Sequence, residues 1–310
     1  MLDVSCIYVN YNSATFTVAA IQSLIKKTKN TVTYEIVVVD NGSEYENYQL
    51  LKTSLERLNI DSIRIYRSRI NTGFGAGNML GVNFASPSKY YAFINNDTLF
   101  TQENTLFDLK LFMDATPDAG ICGPQMMSEN GDRISSIDHH ASPMRQFLKR
   151  DFMEWMNPVK YPKRKKIYTE PVSCGYVPGS FMFVKASSFN EVGGFDTALF
   201  LYYEESDLGR RIFKKLGKKT YHYPSQQYTH FQGKSTEKSV LIKIEQKLSL
   251  LYLTKKHHGR IARACLLYFY TVKYLMSSPL SSKKRKMFMA LWKGGSIEQS
   301  LRNNQIIFKK

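Results

Sequence analysis

Two hydrophobic periods alternate along the first hundred residues of this chain. Val4-Ser-Cys-Ile-Tyr-Val9 is a short apolar run that reads as a strand. From Thr15 to Lys27 the spacing changes to that of a helix, with Phe16, Ala20, Leu24 and Ile25 on one side. Tyr34-Glu-Ile-Val-Val-Val39 is β-branched and apolar on both faces, as in a strand inside a parallel sheet. A helix through Leu50–Leu58 leads to a strand at Ile63-Arg-Ile-Tyr66. A second helix, ending at Phe84, leads to the run Tyr90–Ile94. Strand and helix alternate four times, which predicts a doubly wound, mostly parallel α/β sheet.

The order changes after residue 100. A helix over Leu106–Ala115 and a short strand at Ala119–Gly123 precede an irregular, basic stretch, residues 129–170, expected to be a mobile loop with short helical pieces. Tyr176–Val184 returns to strand, broken by Pro178-Gly-Ser180. Glu191–Asp196 is a turn, and a helix opening near Leu201 stops at Gly217. Lys219–Tyr223 is a last strand and His230–Ser235 a loop. From Val240 the pattern is helical, and residues 241–310 carry fifteen Lys/Arg against two Glu. The chain divides into a sheet domain, 1–239, and a basic helical extension, 240–310.

Composition sharpens this picture. The 310 residues are 43% hydrophobic, enough for a sizeable core, and the formal charge is +17. Such a charge calls for an acidic partner: a phosphorylated substrate, nucleic acid or an anionic membrane. Cys6, Cys122, Cys174 and Cys265 form no CxxC pair, so reduced thiols in a cytosolic protein are expected rather than a disulfide frame or zinc site. Asp3 interrupts any leader pattern, and no run reaches the 18 or so apolar residues of a spanning helix.

Several polar clusters sit where chemistry is expected. The Tyr90–Ile94 strand empties into Asn95-Asn-Asp-Thr98, at the edge where open α/β sheets bind ligands. Asp97 with neighbouring oxygens suits Mg²⁺ or Mn²⁺ shared with substrate phosphates, although Asn and Asp are also ordinary turn residues. Asp40 ends the second strand and can accept a hydrogen bond from a base or a ribose, or simply form the Asp-Asn-Gly turn. Gly73, Gly75 and Gly77 allow close backbone approach to a ligand, or a tight turn. Their GxGxG spacing after the third strand is not the dinucleotide fingerprint. Glu204, Glu205 and Asp207 open a helix, where the macrodipole favours acids and where one acid can act as a general base. His230 is a candidate metal or phosphate ligand.

In order along residues 3–240, Asn10-Tyr-Asn, Val38-Val-Asp-Asn-Gly-Ser43, Asn71-Thr-Gly-Phe-Gly-Ala-Gly-Asn78, Asn95-Asn-Asp-Thr98, Gly193-Gly-Phe-Asp196, Phe200-Leu-Tyr-Tyr-Glu-Glu-Ser-Asp-Leu208 and His230-Phe-Gln-Gly-Lys-Ser235 resemble the motifs of family-2 inverting glycosyltransferases, most of all the bacterial rhamnosyltransferases. The resemblance implies the GT-A fold, a Rossmann-like nucleotide-diphospho-sugar transferase, with a C-terminal helical extension here. It implies a dTDP- or UDP-linked sugar donor and Mn²⁺ or Mg²⁺. By resemblance, Asn10, Tyr11, Asp40, Asn71, Gly73, Asn96 and Asp97 belong to the nucleotide and donor site. Asp97 and His230 would hold the metal, Glu205 or Glu204 would be the base, and Gly179 and Asp207 would be acceptor-side or positional residues. Asn95 stands where the family's metal motif begins with an acid, and Glu205 where its base is usually Asp. The family's bacterial setting implies rhamnose transfer to a lipid-linked glycan of a cell-surface polysaccharide, by a cytoplasmic enzyme peripheral on the inner face of the membrane, with the basic C-terminal helices on the anionic surface. The alternatives are a galactosyl-, glucosyl- or furanosyltransferase using a UDP-sugar, a nucleotidyltransferase, or a non-catalytic nucleic-acid binder. No standard nucleic-acid motif is present, so no nucleic-acid partner is expected.

Overall fold

The computed structural model describes residues 1–29, 32–231 and 239–305. The alternating pattern yields β1 (Leu2–Asn10), α1 (Ala14–Lys27), β2 (Tyr34–Asn41), α2 (Tyr45–Glu56), β3 (Ile63–Ser68), α3 (Phe74–Phe84) and β4 (Ser88–Asn95). There follow β5 (Thr98–Phe100), α4 (Thr105–Ala115), β6 (Ala119–Met127), α5 (Pro143–Leu148), α6 (Arg150–Met156), β7 (Val172–Cys174), β8 (Phe181–Lys185), α7 (Ala186–Glu191), α8 (Glu204–Leu216) and β9 (Lys219–His230). The helices α9 (Val240–Ser277) and α10 (Ser282–Trp292) complete the larger elements.

The described strands form one sheet in the order β3-β2-β1-β4-β8-β6-β9-β5, with β7 also on β9. The first four are parallel, and β8 is inserted antiparallel between β4 and β6. Helices cover both faces. Ala20, Ile21 and Leu24 of α1 with Leu106 and Leu109 of α4 pack on one. Phe189 of α7 with Leu208 and Ile212 of α8 pack on the other. Each such Leu, Ile or Phe side chain, fully withdrawn from water, contributes about 1.5–3 kcal/mol. The two-sided burial explains why the middle of β2, Ile36–Val39, is an unbroken apolar run.

The chain leaves β1 toward β2 and β3, then returns to β4 on the other flank of β1. Connections therefore diverge at the carboxyl ends of β1 and β4, which lie side by side with Val9 paired to Asn95. An open α/β sheet offers a crevice at such a switch point.

Residues 129–170 hold the expected short helical pieces, α5 and α6, which are tied down by ion pairs described below. Two element boundaries need correction. The helix expected near Leu201 begins at Glu204, because Tyr202 and Tyr203 take left-handed φ angles of 76° and 73°. The glycines after β3 also make close contacts. A Cβ on Gly73 (φ 87°) would lie 2.2 Å from the Phe200 carbonyl oxygen, and one on Gly77 would lie 3.0 Å from Val9. The second half of the expected loop is the first turn of α3. Gln232–Ser235 lies outside the described residues.

The helix α9 reverses at Gly259 (φ 88°). Lys247 Nζ lies 4.1 Å from the Tyr270 ring centre, whereas a straight helix would hold the two residues about 34 Å apart. Leu250 and Leu251 of the first arm pack with Leu266 of the second and with Leu199 and Tyr203. No described helix is long and apolar enough to cross a membrane.

The close approach of α3 to β1 has a direct test. A Cβ on Gly81 would lie 2.5 Å from Ile7 Cγ2, beneath fully buried backbone. Gly81→Ala is expected to destabilise the fold by about 1–3 kcal/mol through overpacking, read as a lower urea midpoint with an unchanged m-value. An unchanged midpoint would show that α3 can lift off the sheet without cost.

Candidate active site

A cavity of about 750 Å³ opens at the switch point. Its walls come from the end of β1 (Tyr11, Ser13), the end of β4 (Asn95, Asn96), the start of α3 (Asn71, Gly73, Asn78), the turn before β8 (Gly179, Ser180) and the start of α8 (Glu204, Glu205). His230 also lines it. Residues far apart in sequence thus meet because the connections after β1, β3 and β4 end at one edge of one sheet, beside the turn before β8 and the start of α8.

The nucleotide-side candidates are built into a hydrogen-bond lattice. Asn10 is fully buried and donates to Asp40 at 2.9 Å and Ser43 at 3.1 Å, while its carbonyl accepts from Thr17 at 2.8 Å. Asp40 is also fully buried and pairs with Arg67 at 3.4 Å. It therefore stands behind the cavity wall, and its neighbour Asn41 faces in. Asn41 donates to Asn71 at 3.1 Å and to the Gly73 carbonyl at 3.1 Å, and accepts from the Thr72 amide at 3.0 Å. That one amide shapes the loop before α3. Asn96 donates to Ser13 at 2.6 Å and Thr17 at 3.1 Å. Tyr11 is 40% exposed, free to pack on a planar ligand.

Asp97 and His230 meet. The pairing of Thr98 with His230 across β5 and β9 places His230 Nε2 3.0 Å from Asp97 Oδ1. Among the described residues no three His, Cys, Asp or Glu side chains gather around a metal-sized space. A carboxylate and an imidazole nevertheless fit a hard or borderline divalent ion whose remaining ligands are substrate phosphate and water. His230 Nδ1 is buried without a hydrogen-bond partner, so this ring is not fully committed to the fold.

The two glutamates differ. Glu204 is 1% exposed, and its Oε1 has no partner. Burial, reinforced by the adjacent Glu205 charge, pushes its carboxyl far above the usual range, so it is held neutral. Glu205 is partly exposed at the cavity wall beside Gly179, where a Cβ would lie 3.8 Å from Glu205 Oε2. Burial pushes Glu205 up to about 7; its own backbone amide and Arg145 oppose the rise, and Asp138 adds to it. A carboxylate poised near neutrality is suited to proton transfer.

Asp207 is turned away from the cavity and fully buried. Arg211 Nε lies 2.7 Å from it, His257 Nε2 2.7 Å and Lys256 Nζ 2.8 Å. Burial opposes its charge, but the His257 hydrogen bond and the Arg211 and Lys256 cations outweigh this and hold it well below the usual carboxylate range. Asp207 thereby anchors the first turn of α8 to α9.

Sequence reasoning missed a second carboxylate on the cavity wall, Asp138. Arg145 (2.8 Å), Arg150 (2.9 Å) and the Tyr176 hydroxyl (3.0 Å) surround it. Burial raises its pKa, yet the two guanidiniums prevail and keep it low. Arg164 lines the cavity beside it and bonds Glu154 at 2.8 Å. The only signal was an isolated acid in a basic stretch, with no spacing to single it out.

Known proteins resemble this chain in sequence and in fold. The model of a family described as glycosyl transferase family 2 matches residues 5–193, well over half of the chain. The N-acetylglucosaminyl-diphospho-decaprenol L-rhamnosyltransferase of Mycobacterium tuberculosis H37Rv is 26% identical over 153 residues, 46% of this chain and 48% of that protein. Rhamnosyltransferase WbbL of Escherichia coli K12 is 27% identical over 148 residues, 45% of this chain and 54% of that protein. The chain thus spans about half the length of the curated relatives it matches. Among solved structures, GalNAc-T7 with UDP, GalNAc and Mn²⁺ superposes with a TM-score of 0.61 at 14% identity, over 95% of this chain and 56% of that one. The mannosyltransferase PcManGT of Pyrobaculum calidifontis, in complex with GDP-Man and Mn²⁺, gives 0.57 at 13% identity, over 98% and 87%. At these identities the likeness is one of fold: the mixed, largely parallel sheet is the GT-A architecture.

The Asp207 anchor predicts a pH signature. Asp207→Asn removes the charge that Arg211, Lys256 and His257 face and is expected to cost about 3–5 kcal/mol by urea unfolding at pH 7. Because the folded carboxyl is more acidic than the unfolded one, the wild-type advantage is complete above the ordinary carboxylate range. It fades as pH falls through the folded-state value. The gap between the two proteins should therefore shrink on acidification; a constant gap would assign the loss to packing.

Proposed function

The chain belongs to glycosyl transferase family 2, and from that premise we propose that it transfers a sugar, rhamnose in the favoured reading, from a nucleoside-diphosphate donor to a hydroxyl of a lipid-linked glycan, with inversion. Membership sets aside the nucleotidyltransferase and nucleic-acid-binder alternatives. Rhamnose and the lipid-linked acceptor are favoured by the activities for which the bacterial relatives are named. The observation that carries the reaction is Glu205, a carboxylate raised toward neutrality on the wall of a cavity that also receives His230.

The roles follow from placement. Tyr11, Asn41, Asn71 and Asn96 border the part of the cavity at the ends of β1, β2 and β4 and would hold the nucleotide, with Asn10 and Asp40 bracing them from behind. Asp97 and His230 would hold a divalent cation, which when bound offsets the charge developing on the leaving diphosphate. Glu205 accepts the proton of the acceptor hydroxyl as the new bond to the anomeric carbon forms and the bond to the diphosphate oxygen breaks. Glu204, neutral and buried, can donate a hydrogen bond and leaves Glu205 as the base of the pair. Gly179 leaves space beside Glu205 where a side chain would intrude. The 240–310 extension acts as part of this catalytic unit, because α9 holds the loop from Asp196 to Tyr203 in place.

Three outcomes are expected. Glu205→Gln should lower turnover at least a thousandfold while a nucleoside diphosphate still raises Tm, since a bound ligand stabilises the native state whatever the base does. Retained turnover would remove Glu205 from the role. In the wild type, kcat should rise with pH through about 7 as the glutamate pair ionises; a flat profile across neutrality would place the proton elsewhere. Asp97→Ala should abolish the Mn²⁺-dependent part of the Tm shift in a panel of dTDP, UDP and GDP, and the nucleotide giving the largest wild-type shift identifies the donor.

A further inference from the structure

The helix α6 is built inside out. Its inward residues are Met153 and Glu154, and Glu154 accepts from Arg164 at 2.8 Å and lies 3.1 Å from His139 Nε2. Phe152, Trp155 and Met156, at helical spacing on the outward side, meet water, and Trp155 is 75% exposed. The neighbouring α5 exposes Phe147 and Leu148. Phe147 stacks edge-on against Phe269 of the second arm of α9 at 5.1 Å, which joins the patch to the C-terminal helices. A soluble surface rarely keeps this many large apolar side chains together without a partner.

Charge identifies the partner. Between Arg145 and Lys166 the chain carries eight Lys/Arg against Asp151 and Glu154 alone. Lys149, Lys160, Lys163, Lys165 and Lys166 are all exposed. Exposed aromatic and aliphatic side chains together with exposed lysines are the composition of a helix lying at the boundary between anionic headgroups and acyl chains. The same segment supplies Arg164 to the cavity wall, beside Asp138, so the patch adjoins the cavity.

We propose that the α5–α6 face, continued by Phe269, docks this protein on an anionic lipid bilayer, with Phe152 and Trp155 entering the headgroup–acyl boundary. Such docking serves the lipid-linked acceptor proposed above and rests on that reading for its purpose. The surface differs from the evenly basic tail: α10, with Lys283, Lys284, Arg285 and Lys286, contributes charge but is not the inserted element.

The two tryptophans separate these surfaces, because Trp155 is on α6 and Trp292 on α10, both exposed. Trp292→Phe leaves Trp155 as the reporter; Trp155→Phe leaves Trp292. With vesicles of phosphatidylglycerol and phosphatidylcholine at low salt, Trp155 emission is expected to shift to the blue and to be quenched by lipids brominated on the acyl chain, while Trp292 stays unquenched. Phe152→Ser combined with Trp155→Ser, both at exposed positions, should weaken vesicle co-sedimentation about tenfold or more, with Tm unchanged. Quenching of Trp292 alone would assign docking to the tail, and no quenching of either would give the patch to a protein partner; each overturns the proposal. If Trp155 stays in water while a nucleoside diphosphate still raises Tm, the docking proposal fails and the transferase reading stands. Insertion of Trp155 without any nucleotide response would instead support the docking surface and remove the transferase reading.

Discussion

The buried carboxylate of Asp207 is the constraint on which the site depends. A charge withdrawn from water must be met by cations and hydrogen bonds or give up its ionised form. Here Arg211 comes from the same helix, while Lys256 and His257 come from α9. Satisfying Asp207 therefore requires the C-terminal helices to lie against the first turn of α8. The same helices hold the preceding loop: Ser249 donates to the Leu201 carbonyl at 2.7 Å, and Lys256 and Tyr252 both bond Asp196. The left-handed Tyr202 and Tyr203 persist because both sides of the turn are clamped. Glu204 and Glu205 follow at once, so their direction is set by contacts from far downstream in the chain.

A second constraint is distance. The helix α3 approaches β1 more closely than side chains would allow, and the loop before it touches Phe200 through the Phe74 amide at 2.9 Å. The glycines after β3 thus connect the cavity wall at the start of α3 to the loop that leads into Glu204 and Glu205. The two halves of the site share one rigid contact.

The large positive charge is divided by its surroundings. Around Asp138 and Asp207, arginines, a lysine and a histidine face buried carboxylates and hold chain segments together. Within residues 149–166 the lysines are exposed, as are the aromatic side chains of Phe152 and Trp155. One basic segment therefore contributes both to internal architecture and to an outward surface, according to which face each residue occupies.

The alternating periods of residues 4–94 determined the parallel half of the sheet, because a strand buried on both faces and a helix buried on one leave distinct patterns. The ends of those strands marked Asp97 and the Asn95–Asn96 wall, since polar residues closing an apolar run must sit at the sheet's edge. The start of α8 announced Glu204 and Glu205 in the same way. What followed residue 100 was less legible. The antiparallel insertion of β8, the tie of Asp138 to Tyr176, and the reversal of α9 at Gly259 depend on contacts between residues far apart in sequence, which no local period records. The tertiary structure alone decided which of the two cavity-lining glutamates is buried and which is partly exposed, that Asp40 stands behind Asn41, and that Asp97 meets His230 across a strand pair. Each is a matter of which groups end up excluded from water together, and that is settled only when the layers close.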